Sequence, residues 1–174
     1  MAQDLRKLLK KCGKNVTIYD FAKIVKPEAI EIGDNTNIDD FTFINGGNGI
    51  KIGRFVHIAS FTSIIGGGKL VIGDYAAITA GCRLITGTDT YYNGKRMSAA
   101  LPTEQRNVKL GKITIGKDAF VGTNSIILPD VNIEEGAVIG AGSIVNKDIE
   151  AWTINVGSPL RKIGKRPKLS VKDI

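Results

Sequence analysis

The chain is 174 residues long, which suits one domain, and its 43% hydrophobic content suffices for a core although only 6% of residues are aromatic. The two cysteines, Cys12 and Cys82, lie in different elements and offer no disulfide framework. The net charge of +7 raises a nucleic-acid reading, but the basic residues gather at the two ends without interleaved aromatics, so small anionic ligands or plain solubility fit better.

In chain order, residues 2–12 read as a short amphipathic helix with Leu5, Leu8, Leu9 and Cys12 on one stripe. No apolar leader follows the opening Met-Ala-Gln-Asp and no stretch is long enough to span a membrane as a helix, so a cytoplasmic protein without membrane insertion is expected. From 16 to 87 an aliphatic residue recurs at every sixth place: Ile32, Ile38, Ile44, then Ile52, Ile58, Ile64, then Ile72, Ile78, Leu84. An excursion over 88–112 breaks the beat, which resumes over 113–147 with Ile115, Val121, Ile127, Ile133, Ile139 and Val145. The tail, 148–174, carries Trp152 and Pro159. The whole of 1–174 is one unit on this reading.

A period of six is neither the two of a strand nor the 3.6 of a helix. It predicts an all-β solenoid of triangular coils, three hexads to a coil, with the aliphatic residue pointing inward and Gly, Asn and Asp at the corners. No coil buries its face alone, so neighbours must stack and the open end needs a cap, the role expected of the first helix. Gly66-Gly67-Gly68 does not read as a phosphate loop, because neither a Lys-Ser/Thr pair nor a helix pattern follows; a corner is the better reading. An excursion as long as 88–112 inside a compact fold is usually functional.

The run from Ile115 to Ile133 (IGKDAFVGTNSIILPDVNI), the run from Val138 to Asp148 (VIGAGSIVNKD) and the closing Trp152–Lys162 (WTINVGSPLRK) resemble the hexapeptide-repeat acyltransferases, with galactoside and maltose acetyltransferases in view. The resemblance covers nearly the whole chain. It implies a left-handed parallel β-helix, against the usual crossover hand, assembled as a homotrimer with acetyl-CoA as co-substrate in clefts between subunits and no metal. It places the coenzyme's thin arm along Gly122, Thr123, Ala141 and Gly142, and its phosphates near Lys147 and Arg161, with Lys162 and Arg166 as neighbours; a cation suits a phosphate. Simple coil packing accounts for the small residues equally well.

The chain departs from the family where maltose-type enzymes carry a general-base His: it reads Thr86-Gly87-Thr88-Asp89. An Asp, with an ordinary pKa near 4, is a weak base for a hydroxyl but can accept the proton of an ammonium group. Asp89 therefore tilts the acceptor toward an amine. The single histidine, His57, sits in Val56-His57-Ile58-Ala59-Ser60, a sequence similar to a subgroup acting on surface-polysaccharide sugars, including dTDP-4-amino-4,6-dideoxyglucose N-acetyltransferases. There His57 of one subunit would meet Asp89 of another; the alternative is that His57 merely bonds a corner carbonyl. Tyr91, Tyr92, Asn93 and Arg106 are the loop's candidates for holding sugar or nucleotide. The expected activity is N-acetylation of a nucleotide-linked deoxy amino sugar in lipopolysaccharide or O-antigen biosynthesis, with saccharide O-acetylation and a non-catalytic scaffold as alternatives. The γ-carbonic anhydrases share the coil but need three zinc-binding histidines, and one His excludes them.

Overall fold

The computed structural model describes residues 4–92 and 94–174. The six-residue beat folds as read: three parallel sheets wrap one aliphatic rod, and successive strands fall on the first, second and third face in turn. Ile30–Ile32, Asn37–Ile38 and Phe43–Asn45 make one such coil. Early coils advance by 20 residues, pairing Ile38 with Ile58 and Ile44 with Ile64; late coils advance by 18, pairing Val121 with Ile139. The two additional residues lie at the corner between the third and first faces, in Gly46–Gly49 and Gly66–Gly68.

Packing explains the beat. Ile38, Ile44, Ile58, Ile78, Leu84 and Val121 are wholly buried, each stacked on its equivalent one coil away. Burying a side chain of this size stabilises by about 1.5–3 kcal/mol, and a rod of them needs no aromatic bulk. The inward corners are lined by Thr36, Thr42, Thr62, Ser125 and Ser143, whose hydroxyls bond polar groups of nearby turns; Ser143, for example, donates to the Gly140 carbonyl. Among the described residues no buried side-chain polar atom lacks a partner. At the outer turn of the first face Gly33 must be glycine, because a Cβ there would lie 2.6 Å from the Gly53 backbone one coil on.

The chain's start differs from the expectation. The helix expected over 2–12 is not what its described residues, 4–12, form: they make one 3-10 turn, Leu5–Leu8, capped by Asp4, and then Lys11–Cys12 joins the first sheet beside Glu31–Ile32. The exposed edge of the next coil captures the segment as a strand, overriding its helical spacing. Leu5, Leu9 and Cys12 still pack against the end of the core, so the capping role survives in another form.

The excursion is an arm. Gly87–Asp89 pairs antiparallel with Val108–Leu110, and Thr90 and Asn107 continue the contact. The tail turns back as Arg161–Lys165, antiparallel to Thr153–Val156. It then runs along the corner between the first and second faces: Arg166 lies over Trp152, Lys117 pairs with Asp173, and the Tyr75 hydroxyl donates to the Ile174 carbonyl oxygen. Among the described residues no helix is long and apolar enough to cross a membrane.

Candidate active site

One corner, between the second and third faces, changes character along its length. Its outermost position is occupied in successive coils by Phe21, Phe41, Phe61, Gly81, Asn124 and Gly142. From Phe41 onward each has positive φ. The early half carries three stacked rings; the late half carries small residues.

The residues predicted for the coenzyme arm fall together on that late half. Gly122 and Thr123 belong to one coil and Ala141 and Gly142 to the next, joined by Gly122 N–H donating to the Ile139 carbonyl and Gly142 N–H to the Thr123 carbonyl, both at 2.8 Å. A Cβ on Gly142 would meet nothing within 4 Å, so the corner there faces open space. Thr123 Oγ1 donates to Thr79 Oγ1 at 3.2 Å, and Thr79 Oγ1 to the Val121 carbonyl at 2.7 Å. Thr79 went unnoticed in the sequence. Only laying the coils side by side puts it beside Thr123.

The predicted phosphate partners divide. Lys147 borders a cavity of about 280 Å³ together with Lys162, whose ammonium is paired with Glu150 at 2.6 Å. Arg161 is not in its lining; it stands opposite Val156 at the start of the returning strand. Arg166 is committed elsewhere, donating to the carbonyls of Asp118 and Gly136.

Within one subunit the two predicted catalytic residues each have a partner of their own. Asp89, at the base of the arm, is gripped by Arg106 in a bidentate pair, Nε to Oδ1 at 3.0 Å and Nη2 to Oδ2 at 2.8 Å. Their side chains are only 12% and 17% exposed, so this is a sheltered pair with fixed geometry. The Asp89 carboxylate in turn holds Arg106 above its usual pKa. Arg106, read from the sequence as a sugar or nucleotide contact, thus has its fork turned inward. His57 projects from the second face between Asn37 and Ala77 and meets Asp39, Nε2 to Oδ2 at 3.0 Å. Asp39 is a residue sequence reasoning missed. It follows the inward Ile38 as His57 precedes the inward Ile58, so the two meet diagonally across neighbouring coils.

Tyr91 and Tyr92 stand on the arm, exposed, with hydroxyls 3.1 Å apart, and that bond raises the Tyr91 phenol above its usual pKa. Asn93 lies outside the described residues. Among the described residues no group of His, Cys, Asp and Glu is arranged to hold a metal ion.

Comparison with known proteins converges on this architecture. Residues 112–147 match the bacterial transferase hexapeptide (six repeats) family. The dTDP-4-amino-4,6-dideoxy-D-glucose acyltransferase of Escherichia coli is 46% identical over 85 residues, 48% of this chain and 44% of that protein, so the alignment spans less than half of that relative. AntD, an N-acyltransferase from Bacillus cereus solved with dTDP and coenzyme A, superposes with a TM-score of 0.87 at 37% identity, over 92% of this chain and 86% of AntD. The AntD structures include variants at one serine and at one aspartate ten positions further along, some with dTDP-4-amino-4,6-dideoxyglucose bound. A maltose O-acetyltransferase from Clostridium difficile 630 is more distant, at 25% identity and a TM-score of 0.62 over 94% of this chain and 73% of that one. The solenoid has the left-handed β-helix form of these acyltransferases.

Proposed function

The chain belongs to the hexapeptide-repeat acyltransferases, and from that premise we propose that it moves an acetyl group from acetyl-CoA to the amine of a nucleotide-linked deoxy amino sugar. The observation that carries this reading is Asp89, an aspartate in place of a histidine base, held rigidly by Arg106. AntD supports it: Thr79 and Asp89 have the same ten-residue spacing as the substituted serine and aspartate there, and no other Ser or Thr of this chain precedes an Asp by ten.

A neutral amine needs no base to attack a thioester. Its nitrogen adds to the carbonyl carbon, the C–S bond breaks as the amide forms, coenzyme A leaves as the thiolate, and the nitrogen must shed one proton. Asp89 accepts that proton, which then passes to the thiolate or to solvent. Thr79 and Thr123 line the corner where the two substrates meet. Asp89 and Thr79 leave the rod from different corners, so a homotrimer, in which one subunit's arm reaches its neighbour's corner, is part of the proposal. So is a cytoplasmic place in surface-polysaccharide synthesis, where nucleotide sugars and acyl-CoA are both at hand.

The test is thiol release from acetyl-CoA across dTDP-linked amino sugars and plain saccharides. Turnover confined to the amino sugars is the expected result; turnover confined to plain saccharides would overturn it. O-acetylation is the second reading, favoured by one observation: the Asp39–His57 pair is the carboxylate-oriented imidazole a hydroxyl acceptor requires.

A further inference from the structure

The aromatic stack stops at Phe61. Phe21, Phe41 and Phe61 lie with ring centroids 5.5 and 5.3 Å apart and planes within 10° of parallel. The next place on that corner is Gly81, with φ +73, where an added Cβ would collide with the Asn124 side chain. Gly81 offers no ring to continue the stack. Phe61 is 60% exposed, and its outer face has no stacked aromatic partner among the described residues.

Arg83 reaches the same step from the third face. Its Nη1 donates to the carbonyl of Phe61 at 2.7 Å, of Gly81 at 2.7 Å and of Cys82 at 3.1 Å. Three carbonyls thus pin the guanidinium at the foot of the terminal ring. Among the described residues no carboxylate pairs with it, and its Nε and Nη2 make no hydrogen bond. The nearby acidic side chain of Asp40 faces the other way along the corner, accepting the Phe21 N–H at 2.9 Å.

A flat apolar face beside a fixed, unneutralised cation complements a base linked to a phosphate. We propose that Phe61 and Arg83 form a subsite for the nucleotide of the acceptor, its pyrimidine ring on the open face of Phe61 and a phosphate on the free N–H groups of Arg83. The inference rests on the acyl-transfer reading above and adds where the acceptor's carrier is recognised. The position fits: Gly81 and Thr79 share a coil, so the subsite adjoins the point of reaction on the side away from Gly122 and Gly142, which are left for the coenzyme arm.

Calorimetry on the intact protein with dTDP and, separately, coenzyme A tests this. Phe61→Leu keeps bulk but removes the ring plane, and Arg83→Gln removes the charge. Each is expected to weaken dTDP about tenfold, the scale of one lost stacking or phosphate contact, while coenzyme A affinity stays within about twofold. Phe61→Trp, which restores a ring, is expected to bind dTDP as the parent does. Unchanged dTDP affinity in either of the first two variants overturns the subsite, as does a Phe61→Trp protein as weak as Phe61→Leu. If Phe61→Leu loses both ligands and changes its mass in solution, the stack is a contact between copies and the subsite is wrong. A parent protein that binds coenzyme A and acetylates an amino sugar but ignores dTDP sinks the subsite alone; one that binds neither ligand sinks the proposed function as well.

Discussion

The early and late halves of one corner follow the same backbone path and carry opposite side chains. Phe41, Phe61, Gly81, Asn124 and Gly142 share a left-handed conformation near φ +60 to +73. For a Phe that conformation costs about 1–2 kcal/mol, a cost glycine escapes. The early half recovers it through stacking, each aromatic contact contributing about 0.5–1.5 kcal/mol beyond its burial. The late half gives up that gain and leaves room for a ligand. The backbone therefore does not decide what a coil does. The identity of one outward residue per turn does.

The largest way to break that comparison lies on the arm, which the proposed homotrimer brings to a neighbour's corner. Asp89→Asn is expected to cut turnover by about 10²–10⁴-fold, the usual range for a lost proton acceptor, with coenzyme A binding unchanged. Thiol-release kinetics beside calorimetry would check this, and parent-level turnover would remove Asp89 from the reaction. Next comes the late corner itself. Ala141→Leu puts a branched side chain where the coenzyme arm is to lie and should weaken acetyl-CoA at least about tenfold, roughly 1.4 kcal/mol, without lowering the melting temperature. Equal affinity would mean that the coenzyme runs elsewhere.

The early corner should answer in stability. Phe41→Ala loses two stacked neighbours and is expected to cost about 1–3 kcal/mol, while Phe21→Ala loses one and should cost about half as much. Denaturant melts of both variants would decide it, and equal costs would show that the stack is ornamental. The smallest effect is expected at His57. On the amine reading, His57→Gln alters turnover by less than about threefold; on the hydroxyl reading, it should cost about 10²-fold or more.

The rod could be read from the sequence because every buried aliphatic residue at the beat reports the same geometry, from Ile32 to Val145. The start could not. Leu5, Leu8 and Leu9 have helical spacing, yet the waiting edge at Glu31–Ile32 pairs with Lys11–Cys12 and wins. The candidate site was legible in residue types but not in partners. Asp89 and His57 stand out as single residues, whereas Arg106 and Asp39 acquire meaning only when the arm closes and the coils are laid against each other. Lys147 and Arg161 look equivalent as basic residues near the tail, but the antiparallel return sends them to different places.

The arm leaves and re-enters the rod at one corner, where the Gly111 N–H donates to the Thr86 carbonyl at 2.7 Å. The strand that follows it docks as though nothing intervened: Leu70 meets Ile113 and Ile72 meets Ile115 in unbroken register. Closing a longer or shorter connection there changes the free energy only logarithmically with length. The segment is accordingly a replaceable cassette. Exchanging it for another connection would leave the spindle that carries it to fold as before.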